Sequence, residues 1–326
     1  MAMTQTTTAD KTKPKALLEG GVYVPTVTFF TRDDNIDVDA TVGHAQRLAR
    51  AGVAGLVTQG SNGEAVHLHD EERRLVTRWT RMALVDMGMP HLPLIVGCGA
   101  QSTTETLRLC RDAAASGASH ALILPPSYYR PLLTTDLIIQ HFAAVADASP
   151  IPILVYNYPA TCAGLDLDSD TIIVLAQHPN IVGVKLTCGN TGKLARIVAG
   201  TDSSRFRVFA GSADFIIQTL SVDGHGVVAG LANIAPTACV HLLRLWMAGE
   251  KERAVRLQAV VARADWVAIN GGFVSVKAAL DRYHGYGGRP RKPCALLEGE
   301  ALEAQMAGFA ELVQVEGQLA GSSSAA

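Results

Sequence analysis

The feature that most limits what this chain can become is a rhythm. Short apolar runs alternate with segments of helical period through most of its 326 residues. The runs fall at 22–30, 55–59, 92–97, 120–124, 151–157, 181–187, 207–211 and 226–228. They are rich in Val, Ile and Leu with little polar alternation, as in strands covered on both faces. Between them the spacing becomes helical. Leu107, Cys110 and Ala114 recur at helical intervals after the capping-box pattern Ser102-Thr103-Thr104-Glu105, and Gly117 is a stop signal. Leu137, Ile138, Phe142 and Val145 mark another helix, which Ser149-Pro150 ends. Eight such β–α units predict an α/β fold, the (β/α)8 TIM barrel, with a doubly wound sheet as the main competitor.

Further helical patterns cover 246–270, 273–283 and 295–315, broken by Gly271-Gly272 and by the Gly- and Pro-rich stretch 285–293. They predict a C-terminal helical extension rather than a separate catalytic domain. The expected organisation is a flexible segment over 1–18 and the barrel over 19–235. The last barrel helix and the extension follow over 236–318, with a disordered tail over 319–326.

Hydrophobic residues make up 48% of the chain and charged ones 18%, enough for a sizeable core. The formal charge is −2 with no basic block, which argues against nucleic acid as a partner. No apolar run is long enough to span a membrane. The six cysteines form no C-x-x-C pair, and several lie inside predicted elements. That suits free thiols in a reducing compartment, here taken as the cytoplasm. The first 15 or so residues carry no apolar signal core, and their lack of arginine gives a mitochondrial presequence little support.

Lys185 interrupts the apolar run Ile181-Val182-Gly183-Val184-Lys185-Leu186-Thr187. Strict alternation puts Val182, Val184 and Leu186 on one face and Gly183, Lys185 and Thr187 on the other. An isolated strand lysine is more often one that reaches solvent. A desolvated lysine among small residues, however, loses its proton readily and can attack a carbonyl. Active sites of such barrels gather at the C-terminal strand ends. Two more motifs belong there: Gly60-Ser61-Asn62-Gly63-Glu64 after the second strand and Tyr156-Asn157-Tyr158-Pro159 at the end of the fifth. The first offers N–H, hydroxyl and amide donors for a small carboxylate, or is simply a tight turn. Tyr156 can share the barrel interior with Lys185 and relay protons, or be a core tyrosine. Tyr128-Tyr129, in the Pro-rich loop after the fourth strand, reads as a packing pair. His67 and His69 are a tempting metal pair but fall short of the three or four ligands that zinc needs.

Taken together, these segments, with Phe209-Ala210-Gly211-Ser212 and Gly224-His225-Gly226-Val227-Val228, resemble the dihydrodipicolinate synthase / N-acetylneuraminate lyase family of Schiff-base barrels. The likeness spans roughly residues 20 to 315. It implies that Lys185 forms an imine with pyruvate or another 2-oxo acid and that Tyr156 relays protons. Ser61 stands where a relay threonine is usual, and Tyr129 matches a tyrosine that crosses a dimer interface. Gly60 and Asn62 match the carboxylate-binding turn, and Gly211 and Val228 match pocket-lining positions. No metal or organic cofactor is implied, and the usual assembly is a homotetramer built as a dimer of dimers. Two features depart from the synthases. Ser61-Asn62 replaces Thr-Thr, and Pro159-Ala160-Thr161-Cys162-Ala163-Gly164 lacks the arginine that grips aspartate semialdehyde. The likeness is nearest to the 4-hydroxy-2-oxoglutarate and 2-keto-3-deoxy-sugar-acid aldolases. The implied reaction is cleavage of a 4-hydroxy-2-oxo acid to pyruvate and an aldehyde, with dihydrodipicolinate synthesis as the alternative.

Overall fold

A computed structural model describes residues 17–323. Eight parallel strands close into a barrel in sequence order, each paired with the next and the last with the first. The chain runs β1 (Gly21–Pro25), α1 (Val38–Arg50), β2 (Gly55–Thr58), α2 (Asp70–Asp86), β3 (Leu94–Gly97), α3 (Thr103–Ala115), β4 (His120–Ile123) and α4 (Thr135–Ala148). It continues with β5 (Ile153–Asn157), α5 (Ser169–Leu175), β6 (Ile181–Leu186), α6 (Thr191–Gly200), β7 (Arg207–Ala210), α7 (Ile216–Leu220), β8 (Gly226–Val228) and α8 (Pro236–Met247). The doubly wound alternative is thereby excluded, because β8 returns to β1. The first expected run, 22–30, is strand only as far as Pro25. Ser102 caps α3 as its pattern predicts, accepting from the Glu105 N–H, but the Glu105 carboxylate turns to Arg108 instead of closing the box.

The core has two layers. Tyr23, Val57, Ile95, Leu122, Leu154, Val182, Phe209 and Val228, one from each strand, fill the barrel interior together with Tyr156. A larger cluster lies between the strands and the surrounding helices. This double coverage is why the strand sequences are apolar without alternating.

One strand breaks the expected alternation. Leu154 of β5 pairs with Gly183 while Ile153 pairs with Ile181, so Val182 is an extra residue, a β-bulge. Val182 therefore joins the interior cluster, whereas Val184 and Leu186 face the helices. Beyond the bulge the register is regular, and Tyr156 pairs with Lys185.

Both ends of the expected domain plan shift. Residues 1–16 of the predicted flexible segment lie outside the described residues. Leu18 is buried in the interior cluster, and its carbonyl accepts from Arg207 at the start of β7. Apolar Leu17 and Leu18 thus close the N-terminal mouth of the barrel rather than belonging to a free arm. At the other end, residues 319–323 are not a disordered tail. They complete α11 (Ala310–Ser323), because Leu319 packs on the core that the small polar residues around it conceal. Residues 324–326 lie outside the described residues.

The extension begins with α9 (Lys251–His284), two helical stretches joined at Gly272, whose φ of 59° and ψ of −159° are not helical. The sequence predicts a break at Gly271-Gly272, and the helix is interrupted there. The pattern at 295–315 resolves into α10 (Gly299–Ala307) and α11.

Candidate active site

At the C-terminal ends of the strands lies a cavity of about 520 Å3. Lys185 and Tyr156 share its wall, as in-register neighbours on β6 and β5 must. The Lys185 Nζ sits 4.1 Å from the centroid of the Tyr156 ring. Tyr158 stacks beside that ring, with centroids 5.7 Å apart and planes 28° from parallel. Lys185 is only 3% exposed, and among the described residues it makes no ion pair or hydrogen bond. Burial disfavours the charged form, so the amine's pKa falls to about 7. A pKa there leaves about half of the amines uncharged at neutral pH, where a free lysine would leave roughly one in a few thousand.

Tyr156 moves the other way. Burial pushes its phenol up to about 12, and the hydroxyls of Ser61 and Thr187 oppose part of the rise. The phenol keeps its proton at neutral pH and can donate it. Thr187 Oγ1 is itself buried and finds no hydrogen bond of good geometry. It sits against Gly211, where an added Cβ would come within 2.0 Å of that oxygen. Only glycine leaves room for the threonine at that point.

Ser61 and Asn62 line the cavity. Their turn is strained at both ends, with Gln59 at φ 56° and Glu64 at φ 53°. The N–H groups of Gly63 and Glu64 are spent inside the turn, on the Gly60 and Ser61 carbonyls. Among the described residues, those of Ser61 and Asn62 carry no hydrogen bond and stay open for an anion. Gly211 also lines the cavity, while Gly60 and Val228 are buried beside it without lining it. Tyr129 lies outside the cavity of its own chain. It is 65% exposed and stands edge-on to the exposed Tyr128, ring centroids 5.0 Å apart.

Sequence reasoning missed two groups. The Glu64 carboxylate, fully buried, accepts from the Lys277 ammonium of α9 at 2.8 Å, the Arg291 N–H at 2.9 Å and the His67 ring at 3.0 Å. The turn is thus tied to the C-terminal extension. His67 serves this network, and the His69 backbone N–H donates to Glu72 at the start of α2, so neither is placed as a metal ligand. The second group is Asp265 of α9, which lines the cavity with Ser212 and Asp214. Burial, and then the charge of Asp214, raise the Asp265 carboxyl to about 6. Neither acid carried a sequence signal: one sits in a motif usually read for its glycines, the other in an ordinary helical pattern.

Residues 19–311 match the dihydrodipicolinate synthetase family. A probable mitochondrial 4-hydroxy-2-oxoglutarate aldolase from Emericella nidulans is 56% identical over 92% of this chain and 96% of its own. An L-threo-3-deoxy-hexylosonate aldolase from Hypocrea jecorina is 45% identical over 91% and 96%. Among solved structures, a family protein from Coccidioides immitis superposes with a TM-score of 0.84 at 34% identity, covering 93% of this chain and 98% of that one. YagE of E. coli K12, solved in complex with pyruvate, gives 0.83 at 26% identity, covering 90% and 98%. The chain belongs to the dihydrodipicolinate synthetase family.

Proposed function

We propose that this protein is a Schiff-base aldolase. It cleaves a 4-hydroxy-2-oxo acid, 4-hydroxy-2-oxoglutarate or a 2-keto-3-deoxy sugar acid, to pyruvate and an aldehyde. The observation that carries this is one amine: Lys185, buried, unpaired and seated over Tyr156 inside the strand ends. An uncharged lysine placed there has no evident structural use and a clear chemical one.

The substrate carboxylate takes the open N–H groups of Ser61 and Asn62. Neutral Lys185 adds to the C2 carbonyl. Tyr156 supplies the proton that lets the carbinolamine lose water, with Ser61 and Tyr129 of a second copy completing the relay. The resulting iminium is an electron sink. The C3–C4 bond breaks, its electron pair forms the enamine, and the C4 hydroxyl gives up its proton as the aldehyde leaves. Protonation at C3 and hydrolysis return pyruvate and the free amine. The iminium does the polarising that a metal would otherwise do, so the chemistry asks for no cofactor. Activity is expected to survive EDTA.

The synthase alternative fits less well. Lys185 is the one cation lining the cavity among the described residues, so nothing replaces the missing arginine. The synthases matched are less similar than the aldolases, as with the 34%-identical 4-hydroxy-tetrahydrodipicolinate synthase of Haloarcula marismortui.

A homo-oligomer, built as a dimer of dimers, is proposed because Tyr129 can complete a site only from a second copy. A monomeric dihydrodipicolinate synthase variant, 25% identical, is known, so the assembly needs its own measurement. No described helix is long and apolar enough to cross a membrane. Two relatives carry the word mitochondrial in their names. Reduced thiols suit that compartment as well as the cytoplasm, and fractionation would decide between them.

Borohydride reduction in the presence of pyruvate, followed by peptide mass spectrometry, tests the reading. A reduced pyruvyl adduct on Lys185 is expected. Its absence would reject the scheme.

A further inference from the structure

The aldolase reading leaves the aldehyde half of the substrate open, and the relatives' names divide between a dicarboxylic and a sugar-acid type. The cavity wall beyond Lys185 bears on that choice. Ser212 and Asp214 follow β7, and Asp265 comes from α9. The Ser212 hydroxyl lies within hydrogen-bond distance of two carboxylates, a short contact to Asp214 Oδ1 and 2.8 Å to Asp265 Oδ2. A hydroxyl has one hydrogen to donate. Both contacts are hydrogen bonds only if a carboxyl carries a proton of its own. Asp265 is the candidate, 2% exposed and beside the carboxylate of Asp214. Its Oδ2 also accepts the Asp214 N–H at 2.9 Å, which fixes the two acids against each other. The wall therefore presents two carboxyl groups bridged by one serine hydroxyl, with no cation between them. Thr187 adds a buried hydroxyl without a hydrogen bond in the same cavity.

The carboxylate and C2 of any substrate are committed to the Ser61–Asn62 turn and Lys185, so C4 and the atoms beyond it must extend into the rest of this cavity. A second carboxylate there meets like charge, with no cation to receive it except the amine being consumed. A chain of hydroxyls meets acceptors, and hydroxyl-to-carboxylate bonds are the stronger, charge-assisted kind. Resting on the aldolase reading, we propose that the Ser212–Asp214–Asp265 wall selects a neutral, polyhydroxylated aldehyde half. The preferred substrates are then 2-keto-3-deoxy sugar acids, and 4-hydroxy-2-oxoglutarate is a poor one.

The test measures kcat/KM for pyruvate release from 2-keto-3-deoxygluconate, 2-keto-3-deoxygalactonate and 4-hydroxy-2-oxoglutarate. It uses the full chain, Asp214→Asn and Asp265→Asn. The native chain is expected to favour at least one sugar acid by about tenfold or more, the discrimination of one charge-assisted contact. Asp214→Asn should raise KM for the sugar acid and improve the dicarboxylate, narrowing the ratio by about tenfold. Asp265→Asn, which keeps shape but fixes the group as neutral, should narrow it less. A native ratio at or below one overturns the proposal, and so does a ratio that neither variant moves. Borohydride trapping of pyruvate runs on the same preparations. An adduct with no preference between substrates sinks the selective wall alone. No adduct and no pyruvate release from the native chain sinks the aldolase reading and the wall with it.

Discussion

Two of the three buried lysines among the described residues, Lys277 and Lys185, are buried on opposite terms, while Lys193 is paired with Asp166. Lys277 is 0% exposed and holds the Glu64 carboxylate, which two further donors also satisfy. Burial pulls its pKa down, and Glu64 pulls it back up. Lys185 is 3% exposed and has no carboxylate at all. Only burial acts on it, and its pKa falls to about 7. One lysine is kept as a cation and used as a tie; the other is stripped of its charge and available to react. The difference shows that burial alone does not mark a reactive amine. The missing counter-ion does.

The comparison breaks first on activity. Lys185→Met removes the nucleophile and is expected to cut pyruvate release by at least about 10⁴-fold. Retention of more than a few per cent of the rate in a steady-state assay would show that the unpaired lysine is not the reactive one. Tyr156→Phe keeps the ring under the amine but deletes the phenolic proton. Turnover should fall by roughly 10²–10⁴, and an unchanged rate would take Tyr156 out of the relay.

How much of this was legible depends on distance along the chain. Lys185 and Tyr156 were readable because each announces itself locally, a polar group inside an apolar strand, and barrel closure then places the two strands side by side. The exclusion of water from Lys185 was not readable in that way, since it depends on layers of core from distant segments. Glu64 and Lys277 are 213 residues apart, and each looks like an ordinary charge in its own neighbourhood. Asp265 lies among helical alanines and an arginine, with nothing local to say that it faces Ser212. The bulge at Val182 carries no local sequence signal, and one extra residue reverses every face before it.

The same substitution at the two lysines sharpens the contrast in stability. Lys277→Met leaves Glu64 buried and without its cation, which should cost about 3–5 kcal/mol. Lys185→Met replaces an amine without a partner by an apolar chain of similar length. That change should stabilise the fold by about 1–3 kcal/mol, because the lysine is there for chemistry and not for packing. Denaturant midpoints at unchanged slope would report both. Equal signs would mean that the two lysines are buried on the same terms after all.

The smallest effect is on pH. Because burial lowers the Lys185 pKa, the reactive neutral form is lost as pH falls through about 7 and is nearly complete above 8. Between pH 7 and 6 the neutral fraction should drop from about one half to about one in eleven, roughly a fivefold loss of imine-forming rate. An ordinary lysine would instead gain about tenfold per pH unit up to 10. Asp265, on the same cavity and pushed up to about 6, also titrates in this range. Measuring borohydride trapping across pH 5.5–9.5 in the native chain and in Asp265→Asn separates the two. An inflection near 7 that persists in the variant belongs to the amine. An inflection that moves down in Asp265→Asn would show the two groups to be coupled, and one near 10 in both would mean that Lys185 is as wet and as charged as any lysine on the surface.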